Sequence, residues 1–247
     1  VTDALVLAAH GSRDPRFAVT AREVTDAVGA ALPGTDVHLG FLDLDEPSVA
    51  EVLAEVAGPH VVVVPLLFSA AFHTTVDLPA ALDAERGRRP EVRFTQAPPL
   101  GSDPRLLTAL ADRLHAAGLA PDDGVVLCAV GSRDRDADAQ FHAVAADLAE
   151  RVACRGVEPL FATRLGPEAR YLREAVDRLE ATGARRIVVG PYFLSAGTLT
   201  DRVEKALADL TVGVAIAEPI GAHPGLIDTI CDRYRTAATG NPGQSLS

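Results

Sequence analysis

The 247-residue chain has no Trp and no Met, and only 8 Phe and 3 Tyr, so aromatics make up 4% of it. An aromatic-rich core is therefore excluded, and Ala, Val and Leu must do the packing. With no Met at position 1 or anywhere else, the N-terminus is expected to be processed or to come from an unusual start. Cysteine is scarce as well. Cys128, Cys154 and Cys231 are odd in number and none pairs at C-x-x-C spacing, which argues against a zinc knuckle, a redox dithiol or a disulfide framework. Basic charge is outweighed, with 23 Lys+Arg against 34 Asp+Glu for a net charge of -11. Nucleic acid and anionic membranes call for the opposite sign, so neither is expected as a partner. No apolar run approaches the roughly 18 residues of a membrane span. The first apolar stretch is short with no basic flank, unlike a signal peptide. A cytoplasmic location is the expectation.

Other absences concern chemistry. There is no G-x-x-x-x-G-K-[ST] loop for ATP phosphates. No G-x-G-x-x-G follows a strand, and "FLSAG" around Ser195 lacks the leading glycine of a nucleophile elbow.

What is present is alternation. Ala4–Ala9, Asp36–Asp43, His60–Leu67 and Val92–Gln96 read as short strands rich in Val, Leu or Phe. Between and after them, Phe17–Ala31, Ser48–Val56, Val76–Ala84 and Asp103–Ala117 read as helices, with Ser48 a good N-cap. "VVVVPLLF" is apolar on both faces, as a central parallel strand should be.

The order then repeats. "HGSRD" (10–14) returns as "VGSRD" (130–134), and "PLGSDPRLLTALADR" (99–113) as "PIGAHPGLIDTICDR" (219–233), both 120 residues on. Phe41 matches Phe161 at the same offset, and "PLLFSAAFHTT" (65–75) matches "PYFLSAGTLTD" (191–201) at 126. The chain thus reads as an internal duplication of parallel α/β domains, 1–118 and 119–237, with residues 238–247 a disordered tail.

In open parallel sheets, ligands bind beyond the carboxyl ends of the strands. His10 ends the first predicted strand, Asp43 the second, and His73 lies just past the third. Two imidazoles and a carboxylate suit a borderline divalent ion such as Fe(II), Co(II) or Ni(II). The second half offers Val130, Thr163 and Leu199 at the matching positions, of which only Thr163 is even a weak ligand. Singly, each residue has a plainer reading. A histidine after a strand is commonly a hydrogen-bonded loop residue, and Asp43, beside Asp45 and Glu46, could simply precede a helix. Gly11 and Ser12 either hold an anion on backbone N–H groups or make the turn, and retention of Gly-Ser-Arg-Asp in both halves favours the turn. His38 and His60 read as sheet or turn residues, and His115, His142 and His223 as helix residues with no partner at metal spacing.

"LVLAAHGSRDPRF", "GFLDLDEPSVAEVL" and "VVVVPLLFSAAFHTTVDLP" together resemble the sirohydrochlorin chelatases, ATP-independent class II chelatases of sirohaem and cobalamin biosynthesis. The resemblance covers nearly the whole chain and implies two flavodoxin-like doubly wound halves around a cleft, fused as an internal pseudo-dimer in one monomer. It implies His10 and His73 as metal-binding, proton-accepting residues. Asp43 stands where many members carry Glu, one methylene longer. The implied reaction inserts a divalent metal into sirohydrochlorin with release of two protons, using no cofactor beyond the metal substrate. Iron is favoured and cobalt is the alternative. Sirohydrochlorin is an octacarboxylate, so Ser12, Arg13 and Arg16, with Arg133, Arg135 and Arg164 of the second half, are candidate contacts. A histidine-phosphatase-like phosphoryl transfer is a competing reading, although Ala9 replaces the arginine expected before His10. A metal or tetrapyrrole carrier without catalysis is another.

Overall fold

The computed structural model describes residues 3–68, 77–132 and 134–240. Among the described residues, eight parallel strands form two four-stranded sheets. In the first, β1 (Ala4–Ala9) is flanked by β2 (Asp36–Phe41) and β3 (His60–Pro65), with β4 (Arg93–Gln96) at the edge, giving the order β2-β1-β3-β4. The second repeats this as β6-β5-β7-β8 with β5 (Asp123–Ala129), β6 (Val157–Phe161), β7 (Arg186–Pro191) and β8 (Gly213–Ile216). Both are flavodoxin-type orders, in which the connections reverse direction between the first and third strands.

The strands are parallel because every connection carries a helix. In the first repeat these are α1 (Pro15–Ala31), α2 (Val49–Glu55), α3 (Leu78–Arg88) and α4 (Pro104–Ala116). In the second they are α5 (Arg135–Arg151), α6 (Arg170–Ala181), α7 (Thr198–Leu207) and α8 (Pro224–Ala238). Every residue of β1 and β3 is buried, as expected for central strands covered on both faces. Alternate side chains Val6, Ala8, Val61 and Val63 pack with Val49 and Leu53 of α2 and Leu78 and Leu82 of α3. Ser48 opens α2 with a complete capping box, accepting from the Glu51 N–H while Glu51 accepts from the Ser48 N–H. At the other end of α2, Arg89 donates to the Leu53 and Val56 carbonyls at 2.9 and 2.8 Å, satisfying groups a helix end leaves open.

The packing units do not follow the repeat boundary. One comprises residues up to Asp103 together with those from Leu226 onward, and the other comprises Pro104–Gly225. The last helix of each repeat therefore belongs to the other repeat's unit. Leu114 of α4 sits where a Cβ on Gly190 of β7 would be 3.2 Å from it, and Arg113 donates to the Ile220 carbonyl at 2.9 Å. In the first unit the equivalent Arg233 of α8 donates to the Leu100 carbonyl at 3.3 Å and lies 3.7 Å from Asp103. A sequence repeat marks which residues are related, and only packing says which sheet a helix covers.

At the amino ends of the strands the two units carry matching pairs. Asp123 and Arg186, at the starts of β5 and β7, form an ion pair at 2.5 Å. Their counterparts are Asp3 and His60, 3.9 Å apart, with His60 Nε2 2.9 Å from Thr95 Oγ1. Burial pulls the His60 pKa below 6.5, Arg93 pulls it further, and Asp3 opposes. Below about pH 6.5 the unfolded chain takes up a proton that the folded ring resists, so stability falls as pH falls through that range. The urea midpoint should therefore drop between pH 7 and pH 5, and His60→Gln should flatten that drop; a parallel slope in the variant would contradict it.

Candidate functional site

β1 and β3 flank the reversal in strand order, and the crevice at their carboxyl ends is where this architecture places ligands. His10 is the first residue past β1, half-buried, with Nδ1 3.1 Å from the Gly11 carbonyl oxygen. With Nδ1–H donating to that oxygen, Nε2 carries the lone pair, the tautomer a metal-ligating or proton-accepting imidazole needs.

Gly11 is required by space. Its φ is +92°, and a Cβ there would overlap the Asp43 carbonyl oxygen. Two hydrogen bonds hold this approach: Leu42 N–H to the Ala9 carbonyl at 2.8 Å and Asp43 N–H to the His10 carbonyl at 2.9 Å. The chain after β2 is thereby pinned against the chain after β1. β2 itself ends at Phe41, so Asp43 lies two residues beyond the strand rather than at its end. Asp43 is exposed, and its Oδ1 accepts from the Leu44 N–H at 2.9 Å. Asp45 makes the tie that sequence reasoning missed: its Oδ2 accepts from the Ser12 N–H at 2.8 Å. Nothing in the run "DLDEPS" distinguishes it from its acidic neighbours.

The hydrogen bonds resolve Gly-Ser-Arg-Asp as a turn. Ser12 Oγ accepts from the Asp14 N–H at 3.1 Å, and Asp14 caps α1 by accepting from the Arg16 N–H. The second unit reproduces this with Ser132 and Asp134, the latter capping α5. There, Asp138 replaces Asp45 in taking the serine N–H, at 3.1 Å. Arg16 grips Asp14 in a two-point ion pair, Nε at 2.9 Å and Nη2 at 2.6 Å, and this lowers the Asp14 carboxyl to about 2. Arg164 is similarly committed, 2.5 Å from Asp138 and stacked 4.2 Å over the Phe161 ring. Arg13 is exposed beside His10, and Arg135 is exposed at the start of α5. Arg133 and His73 lie outside the described residues.

The second unit's matching positions serve other ends. Val130 is 46% exposed, the Thr163 hydroxyl donates to the Val130 carbonyl at 2.6 Å, and Leu199 packs on the core. Among the described residues, which do not include His73, no group of three or more His, Cys, Asp or Glu comes together as a metal cluster. His60 sits at the opposite end of the sheet, at the start of β3.

A duplicated open α/β protein with one strand-end imidazole site is the class that this fold and edge define. The CbiX family model matches the chain twice, over residues 4–117 and 124–237, and the chain belongs to the CbiX family. It is 28% identical over 248 residues to the sirohydrochlorin ferrochelatase of Bacillus subtilis, covering 98% of this chain and 94% of that one. It is also 28% identical over 249 residues to the sirohydrochlorin cobaltochelatase of Priestia megaterium, covering 94% of this chain and 78% of that one. The solved structure of SirB from Bacillus subtilis with Fe3+ superposes with a TM-score of 0.82 at 28% identity, covering 99% and 98% of the two chains.

Gly11→Ala should cost about 2 kcal/mol or more, because it adds left-handed backbone strain to a collision with a main-chain oxygen. Gly131→Ala should cost less, since the nearest atoms there are side-chain ones, the Thr163 hydroxyl at 2.8 Å and Phe161 Cβ at 3.0 Å, and no main-chain oxygen fills the space. Paired thermal melts check the order, and equal losses would contradict the backbone contact as its cause.

Proposed function

We propose that the chain inserts a divalent metal ion into sirohydrochlorin, with Fe2+ as the favoured metal and sirohaem as the product. The observation that carries this reading is the end-to-end match to a named sirohydrochlorin ferrochelatase, in a chain whose switch-point strand is followed directly by His10. The reaction balances as one metal dication entering the macrocycle while two pyrrole N–H groups each lose a proton. His10, through Nε2, and His73 hold the incoming metal, and once the ion has passed to the macrocycle their freed lone pairs accept the two departing protons near neutral pH. Asp43 supplies the carboxylate, and its shorter side chain favours contact through a water molecule. A sparse N/O donor set captures the ion yet releases it to four pyrrole nitrogens, which a set of four thiolates would not do.

Arg13, exposed in the His10 turn and without an ion-pair partner among the described residues, is the arginine best placed for a substrate carboxylate. Ser12 and Arg16 act one step back by holding the turn. No ATP is required, because the driving force is metal coordination by the macrocycle. The duplication supports a monomer carrying both halves. Three unpaired cysteines support a reducing, cytoplasmic setting, and burial pushes the Cys128 thiol up to about 12, which keeps it inert. No helix among the described residues is long and apolar enough to cross a membrane.

A cobalt-inserting role in cobalamin biosynthesis is the second reading, favoured by equal identity to the Priestia megaterium cobaltochelatase. Anaerobic insertion followed by absorbance, with Fe2+, Co2+ and Ni2+ compared, decides between them. His10→Ala and His73→Ala should each lower turnover by about 100-fold or more, and Asp43→Asn by less. Absence of wild-type turnover with all three metals would overturn the chelatase reading.

A further inference from the structure

Leu44 breaks two rules at once. Its φ is +66°, a left-handed conformation that costs a bulky side chain about 1–2 kcal/mol. It is also 50% exposed, so burial within the fold does not offset that cost. The cause of the conformation is local: the Asp45 N–H donates to the Asp43 carbonyl at 2.8 Å, closing a three-residue turn with Leu44 at its centre. With positive φ at the centre, this is the rarer and more strained hand of the γ-turn.

The other two non-glycine residues with positive φ among those described lie in the equivalent connection of the second unit, and each has a partner inside the protein. Ala169 packs against the core, and Glu168 lies 3.8 Å from Arg173. Leu44 is not among the members of the two clusters formed by the described residues. Glycine would form the same turn without strain and asparagine with less, and the Asp43 and Asp45 hydrogen bonds do not involve the Leu44 side chain. A half-exposed apolar side chain is therefore held in a strained turn one residue from Asp43, in the segment pressed against Gly11. Strain that the surrounding fold sustains without internal return points to a role with a ligand.

Resting on the chelatase reading, we propose that Leu44 is a substrate-binding residue whose exposed side chain packs on the apolar face of the tetrapyrrole beside the His10–Asp43 edge. Its role is to hold the macrocycle in place; it takes no part in proton or metal transfer. Carboxylate contacts alone locate the rim of such a substrate. An apolar contact at the strand-end edge adds a fixed height over the metal donors and gains free energy only when the macrocycle covers it.

The test compares Leu44→Gly, Leu44→Asn and Leu44→Met in the full chain. Readouts are the melting temperature, metal-free sirohydrochlorin binding by absorbance titration, and steady-state metal insertion. The glycine and asparagine variants should melt at or above the wild-type temperature, bind sirohydrochlorin about tenfold more weakly, and raise KM by the same factor with kcat within about twofold. The methionine variant, which keeps the apolar reach, should bind within about threefold of wild type. Wild-type affinity in Leu44→Gly, with turnover intact, would overturn the role of Leu44 and leave the chelatase reading standing. Loss of melting temperature and of binding together in all three variants would also overturn it, by showing that the residue only builds the turn. A wild-type protein that neither binds nor metallates sirohydrochlorin would remove both readings together.

Discussion

Residue 11 has no room for a side chain because the carbonyl oxygen of Asp43 occupies the place a Cβ would take, and most of the candidate site follows from that contact. The approach is fixed by continuation of the β1–β2 ladder past its regular end, through the N–H groups of Leu42 and Asp43. It sets His10 at the rim of β1, turns Asp43 out of the strand and brings Asp45 to the Ser12 N–H, while the Asp45 N–H closes the left-handed Leu44 turn on the same Asp43 carbonyl. Each consequence is a backbone matter, set by main-chain hydrogen bonds rather than by the side chains the turn carries.

The two halves show what duplication leaves in common. Both keep the serine that receives the next aspartate N–H, the aspartate that caps the following helix, and an acid at the start of the first strand facing a base at the start of the third. Those are requirements of the fold, met twice. The chemistry-bearing positions have diverged: Thr163 folds its hydroxyl onto the Val130 carbonyl, and Val130 offers no donor atom on its side chain. Where one half carries an imidazole, the other has reinvested the position in its own turn.

Much of this was legible beforehand. The strands β1 and β4, the Ser48 cap and the shared turn follow from periodicity and local hydrogen-bonding rules, which act between chain neighbours. Strand ends were less clear. Asp36–Asp43 and His60–Leu67 both read two residues too long, because apolar residues continue past the point where ladder geometry stops. Arginines are least clear: Arg16 and Arg164 read as candidates for an anionic substrate, but Arg16 is held by Asp14 two residues before it, and the fold brings Asp138 to Arg164.

By itself the sequence determined the parallel α/β class, the duplication, and His10 as the departure from a repeated turn, because all three are written in spacing along one chain. Tertiary structure alone decided which of three neighbouring acids ties Ser12, which sheet each repeat's last helix covers, and that Leu44 is held strained and exposed. Those outcomes depend on groups distant in sequence competing for the same hydrogen bonds and the same apolar faces, and that competition is settled only when the chain has packed.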